Sequence, residues 1–305
     1  MKILYFGGSG ERSLNCLKRL VEDGRNIIGV ILRDYKKEIR DLEPIKKYMG
    51  KKSIELLNDN FKEQGNLEKI ASNSPDLIVM VSFDLLVPDK IVLLPKIGII
   101  NCHGGKVPEY RGSSPRRWAL RNGEKHGGCS VLKVNINEIV DGGEILGQKL
   151  YPIDDNDTIE DILRKDAETF PEILSEVLSK VNATRVLEGK KQGPGTYWHK
   201  SGIEERKIRF REMPSEEVRN LVRSETRPYL GAWTTYEGKE LKIFKVDRTT
   251  DQDYAGTPGR IIKFSGADPT VVCKNGSLFV RDIEIDGKKE NPKSLKNGSY
   301  LGLEK

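Results

Sequence analysis

The apolar positions of this chain change their period several times, and those changes mark out its elements. Residues 3–6 form a short apolar run ending on Gly7-Gly8-Ser9-Gly10, and Leu14, Leu17, Leu20 and Val21 then recur at helical spacing. A second apolar run at 26–32 completes the layout of a βαβ unit. Residues 77–81, L-I-V-M-V, are apolar without alternation, as in a strand covered on both faces of a parallel sheet. Helices are predicted at 44–49 and 67–71, a short strand at 53–57, and an apolar run at 96–100 that delivers Asn101 and His103 to its end. Ser114-Pro115 reads as an N-cap with proline at the first helical position. Strands at 129–134 and 144–151 follow, then one long amphipathic helix over 157–181, in which Pro171 is expected to cause a kink or break.

The second half is punctuated by Gly193-Pro194-Gly195, after which Tyr197, Trp198, His199 and Lys200 place two aromatics beside two cationic side chains. Residues 215–223 read as a helix with a capping-box-like start at Ser215, and the short runs beyond it suggest strands. The expected architecture is α/β: a Rossmann-like, doubly wound, mostly parallel sheet over 1–192, a linker at 193–212, and a small β-rich domain at 213–305.

Composition narrows the function classes only a little. The 305 residues carry a net charge of +6, which suits an anionic ligand and falls short of a dedicated nucleic-acid binder. Residues 205–305 hold 20 basic and 16 acidic side chains, so the second half is not strongly basic either. The basic stretch at 33–52 reads as a solvated connection, with contact to a polyanion as the functional alternative. Four cysteines without C-x-x-C spacing disfavour a zinc site and a disulfide framework. With no leader-like or membrane-length apolar segment, a cytoplasmic location is expected.

The chemistry concentrates between 99 and 143. Asn101 and His103 sit where a strand of an open α/β sheet presents ligand-binding groups, and Gly104 and Gly105 remove bulk directly after the histidine. The later apolar stretch ends on Asp141, followed by Gly142 and Gly143. Amide, imidazole and carboxylate together suit attack by an amine on an acyl donor: His103 as base, Asp141 fixing the imidazole, Asn101 donating to the oxyanion. The Gly7–Gly10 turn lacks the third glycine of a dinucleotide fingerprint, since position 13 is Ser13; its amides and Arg12 are expected to hold an anion instead.

The block N-x-H-G-G-x-x-P-x-Y-R-G-x-S-P with a later D-G-G resembles the 10-formyltetrahydrofolate-dependent formyltransferases. That resemblance implies Asn101, His103 and Asp141 as the catalytic trio, 10-formyltetrahydrofolate as co-substrate, and no metal. Phe83, Leu85, Leu86, Gly142 and Gly143 are the expected pterin contacts. Arg12, Gly104, Gly105, Tyr110, Arg111, Tyr197, Trp198, His199 and Lys200 are the expected acceptor contacts. Gly105 departs from the tRNA-directed members, and the H-G-G-K-V-P version is more similar to the sugar-nucleotide N-formyltransferases. An amino sugar on a nucleoside diphosphate is therefore the expected acceptor, with methionyl-tRNA as the alternative and a homodimer as a further expectation. A glycinamide ribonucleotide enzyme would need little beyond the first domain. A formate-releasing hydrolase would carry a regulatory domain before the first strand, which begins here at Lys2. An idle binding protein would have a broken trio, and this one is intact.

Overall fold

The computed structural model describes the chain except for residues 34–40, 58–59, 62, 137, 250–253, 264–267 and 304–305. Part of the basic stretch at 33–52 therefore lies outside the described residues. In chain order the first elements are β1 (Lys2–Gly7), α1 (Glu11–Glu22), β2 (Asn26–Leu32), α2 (Glu43–Lys51), β3 (Leu56–Leu57), α3 (Gln64–Ser72), β4 (Leu77–Val81), α4 (Asp89–Val92) and β5 (Gly98–His103). Next come β6 (Arg111–Gly112), α5 (Pro115–Arg121), β7 (His126–Val134), β8 (Ile145–Pro152), α6 (Ile159–Thr184) and β9 (Tyr197–Trp198). The last part holds α7 (Ser215–Glu225), β10 (Ala232–Tyr236), β11 (Lys239–Arg248), β12 (Ile261–Ile262), β13 (Thr270–Val272), β14 (Ser277–Ile285) and β15 (Lys288–Glu290). Two compact units emerge, one of Met1–Gly112, Gly127–Tyr151 and Leu163–Tyr197, the other of Ser113–His126, Pro152–Ile162 and Trp198–Lys305.

The first unit is built on a seven-stranded sheet of order β3-β2-β1-β4-β5-β7-β8, parallel from β3 through β5 and antiparallel between β5 and β7. All five residues of β4 are buried, which explains its unbroken apolar run. The winding direction reverses between β1 and β4, and a crevice at the strand ends is expected at such a point. There Gly8 donates its amide to the Val81 carbonyl at 3.0 Å, and a Cβ on Gly8 would lie 1.9 Å from the Ser82 carbonyl oxygen. Only glycine lets these two turns meet backbone to backbone. The long helix α6 runs unbroken through Pro171, so the expected break is not present.

The second unit has an antiparallel sheet of order β10-β11-β14-β13-β12, with β15 on β14. Val218, Leu221 and Val222 of α7 share its core with Ile243, Leu278 and Ile283. Ser114 is the N-cap of α5 with Pro115 in its first turn, as the sequence suggests, whereas the cap of α7 needs correction. Pro214, not Ser215, occupies the N-cap of α7, and Ser114 before α5 has φ 59 and makes no side-chain capping bond.

A charged network in this unit joins Asp155 to Arg219, Arg248 and, through Arg248, Glu216. The Arg248 hydrogen bond, with help from the neighbouring arginine charges and against burial, holds the Asp155 carboxyl down at about 2. Its folded value lies below the ordinary 3.8, so its stabilisation is present above about pH 4 and lost as pH falls through about 2. Asp155→Asn should therefore melt below wild type at pH 7, with the gap closing toward pH 2. A gap in melting temperature that persists at pH 2 would contradict this assignment.

Candidate active site

Strand periodicity builds the first half of the site. Asn101 and His103 are two residues apart on β5, so their side chains share one face of the sheet. Cys102 between them is buried, and burial pushes its thiol up to about 12, which leaves it unsuited to nucleophilic work. The opposing strand β7 pairs Leu132 with Asn101 and Ser130 with His103. Ser130 Oγ donates to the Gly105 carbonyl at 2.7 Å, and Gln148 Nε2 donates to Ser130 Oγ at 3.0 Å and to the Val107 carbonyl at 2.9 Å. The glycine loop after the histidine is thus held by one buried and two partly buried hydrogen bonds.

Asp141 arrives from the loop between β7 and β8 rather than from a strand end, because β7 stops at Val134. Its backbone is left-handed, at φ 59. Asn101 Nδ2 donates to Asp141 Oδ1 at 3.0 Å, the Gly112 amide donates to Oδ2 at 3.1 Å, and His103 Nδ1 lies 3.3 Å from Oδ2. Gly143 carries the chain away so close to β7 that a Cβ there would stand 1.8 Å from the Lys133 carbonyl oxygen. No larger residue fits without moving the loop.

The partners of His103 assign its protons. Nε2 lies 2.6 Å from the Tyr110 carbonyl, which can only accept, so Nε2 carries a hydrogen. The remaining ring nitrogen, Nδ1, faces the Asp141 carboxylate at 3.3 Å, so a proton taken up there would meet a negative partner. His103 and its carboxylate partner are both largely buried, with 7% and 6% of their side-chain surface exposed. A low-dielectric pocket strengthens this pairing. The arrangement can pass one proton in and out on the Nδ1 side while Asn101 keeps a second amide hydrogen for an oxyanion.

Several other predicted site residues occupy different surroundings. Phe83 is buried beside Phe6 and Phe61, at ring-centroid distances of 5.1 and 6.3 Å, so its ring is part of the core. Leu85 packs against the same cluster, whereas Leu86 is 77% exposed. Arg12 donates to Ser82 Oγ at 3.0 Å and pairs with buried Asp166 at 3.5 Å, so its guanidinium has internal partners. Arg111 is also internal, bonded to Gln192 Oε1 and the Gly193 carbonyl at 2.8 Å each. Tyr110 is buried and contributes its carbonyl to His103. Gly104 and Gly105 are buried behind the histidine.

In the second unit Trp198 packs on Trp118 at 4.8 Å, His199 meets the Trp118 ring edge-on at 5.1 Å, and Lys200 is exposed. Tyr197, in the first unit, is 54% exposed. Sequence reasoning missed the Gly112 amide, the Tyr110 carbonyl and Gln192. The first two are backbone groups with no residue signature, and Gln192 stands 51 positions from the loop it touches.

Residues 1–178 match the formyl transferase family and residues 200–299 the formyl transferase C-terminal domain. Methionyl-tRNA formyltransferase of Caldanaerobacter subterraneus subsp. tengcongensis is 29% identical over 294 residues, covering 94% of this chain and 93% of its own. Among solved structures, HypX of Aquifex aeolicus with tetrahydrofolic acid has a TM-score of 0.67 at 18% identity; the match covers 96% of this chain but 46% of HypX. An N-formyltransferase of Helicobacter canadensis, in complex with folinic acid and dTDP-3-aminofucose, has a TM-score of 0.66 at 18% identity, covering 95% of this chain and 100% of its own.

Proposed function

The chain belongs to the formyl transferase family, and on that premise we propose that it moves a formyl group from 10-formyltetrahydrofolate to the amine of a nucleoside-diphosphate-linked amino sugar. The observation that carries the chemistry is the Asn101, His103 and Asp141 cluster, in which the free Nδ1 lone pair can take a proton beside the carboxylate. The neutral amine attacks the formyl carbon, and the second Asn101 amide hydrogen donates to the oxyanion, a contribution worth about 3 kcal/mol in comparable sites. As the new carbon–nitrogen bond forms, the amine proton passes to the His103–Asp141 pair. When the bond to the folate nitrogen breaks, the pair returns that proton to the leaving nitrogen. Because Nε2 is committed to the Tyr110 carbonyl, His103 acts through Nδ1 and together with Asp141, not as a lone base. Leu86, with Gly142 and Gly143, is the proposed wall for the pterin.

The acceptor reading is supported by the Trp118 and Trp198 pair beside exposed Lys200, a face suited to stacking a nucleobase and pairing with a diphosphate. The Helicobacter canadensis structure, which holds folinic acid and dTDP-3-aminofucose, adds support. The second reading, a methionyl-tRNA acceptor, is favoured by the 29% identical relative that bears that name. Purified protein with 10-formyltetrahydrofolate and a panel of amino-sugar nucleotides should give a formylated sugar by mass spectrometry, and Lys200→Ala should raise KM for it several-fold with kcat near wild type. A panel left unmodified would overturn the amino-sugar assignment.

A further inference from the structure

We propose that Gln192 is a positioning residue for formyl transfer, clamping the backbone that carries Asp141. The inference rests on the reading of Asp141 given above. Gln192 Nε2 donates to the carbonyls of Asp141 at 2.8 Å and Gly143 at 2.6 Å, which uses both amide hydrogens. Its Oε1 accepts from Arg111 Nε at 2.8 Å, while Arg111 Nη2 donates to the Gly193 carbonyl at 2.8 Å. One side chain thereby joins the aspartate loop, the turn that supplies the Tyr110 carbonyl and Gly112 amide, and the segment after Gly189.

The surrounding backbone explains why this side chain reaches so far. Ile145 and Lys190 exchange amide bonds of 2.8 and 2.9 Å, fixing one end of the segment beside β8. At the other end, Thr196 donates to the Pro108 carbonyl at 3.0 Å, and Arg111 donates its amide to the Thr196 carbonyl at 3.2 Å. Gln192 lies between these anchors, across the loop in which Asp141 holds its left-handed conformation. For a non-glycine residue that conformation persists only where neighbouring structure enforces it. Both carbonyls gripped by Gln192 belong to the loop that sets the carboxylate against Asn101, His103 and the Gly112 amide. Loosening the grip therefore costs turnover more than binding, since a misplacement of about 1 Å in a reacting geometry can cost about 100-fold.

Gln192→Met keeps the volume and removes all three bonds, whereas Gln192→Glu keeps the acceptor for Arg111 and removes the amide donors. The protein has three histidines, so nitrogen NMR of histidine-labelled protein resolves each, with His103 assigned by its loss in His103→Asn. In both variants the His103 Nδ1 resonance is expected to shift while His126 and His199 stay in place. In the acceptor assay, kcat should fall about 100-fold, with KM for both substrates within about threefold of wild type. An unmoved His103 resonance, or kcat within about threefold of wild type, overturns the clamp. If wild type formylates no acceptor, the functional reading fails, and the His103 resonance alone decides the clamp. Should Gln192→Met fail to fold, Gln192→Glu carries the test.

Discussion

Asp141→Asn should lower kcat for formyl transfer by about three orders of magnitude, within the range that positioned proton transfer contributes. The amide is nearly the same size, so the loop keeps its course and the melting temperature should change little. What is lost is chemical. An amide carries no charge to stabilise a proton on His103 Nδ1, and with one acceptor oxygen in place of two it cannot reproduce the bonds from Asn101 and Gly112 that the two carboxylate oxygens accept at 3.0 and 3.1 Å. His103→Asn should give a loss of similar size, and because the two residues act as one pair, the double variant should lose little more than either alone. Steady-state kinetics on the three variants checks this. Asp141→Asn turning over within tenfold of wild type would remove the carboxylate from the proposed chemistry.

The largest expected effect on stability lies in the second unit. Glu225 at the end of α7 is fully buried, with its carboxylate between Arg117 and Arg121 of α5; Arg121 Nη2 donates at 2.6 Å and Arg117 Nε at 3.1 Å. Burial lowers the Arg121 pKa from its ordinary value, and the Glu225 charge acts in the opposite direction. Glu225→Ala leaves two desolvated guanidiniums without their counter-charge, although Tyr229 and Trp118 remain beside them. Removing one partner from such a buried group costs about 3–5 kcal/mol. Urea unfolding should show that loss, and a change below about 1 kcal/mol would mean that water reaches the arginines.

Much of the fold was legible because burial writes itself into periodicity. The unbroken apolar run of β4 announced a strand covered on both faces, and the two-residue spacing of Asn101 and His103 on β5 put them on one face. The long helix was equally plain, although local propensity overstated the effect of Pro171. The internal partners of the arginines were hidden for a different reason. Guanidinium suits a substrate phosphate and an internal acceptor equally well, and the Asp166 that engages Arg12 lies 154 residues away. Arg111 was likewise taken by Gln192, which no local pattern connects to Asp141. Phe83 belonged to an aromatic cluster whose members come from distant parts of the chain. Residue type pointed to Asn101, His103 and Asp141, whereas the Gly112 amide and the Tyr110 carbonyl that touch them are backbone groups with no residue signature.

The measurement that bears most directly on the central claim is a competition in one vessel. Wild-type protein receives 10-formyltetrahydrofolate labelled at the formyl carbon, with an amino-sugar nucleotide and methionyl-tRNA present together. The label should pass to the sugar amine, with the tRNA unlabelled, and Asp141→Asn should transfer almost none on the same timescale. Label on the tRNA alone, or equal transfer by Asp141→Asn, would contradict the account.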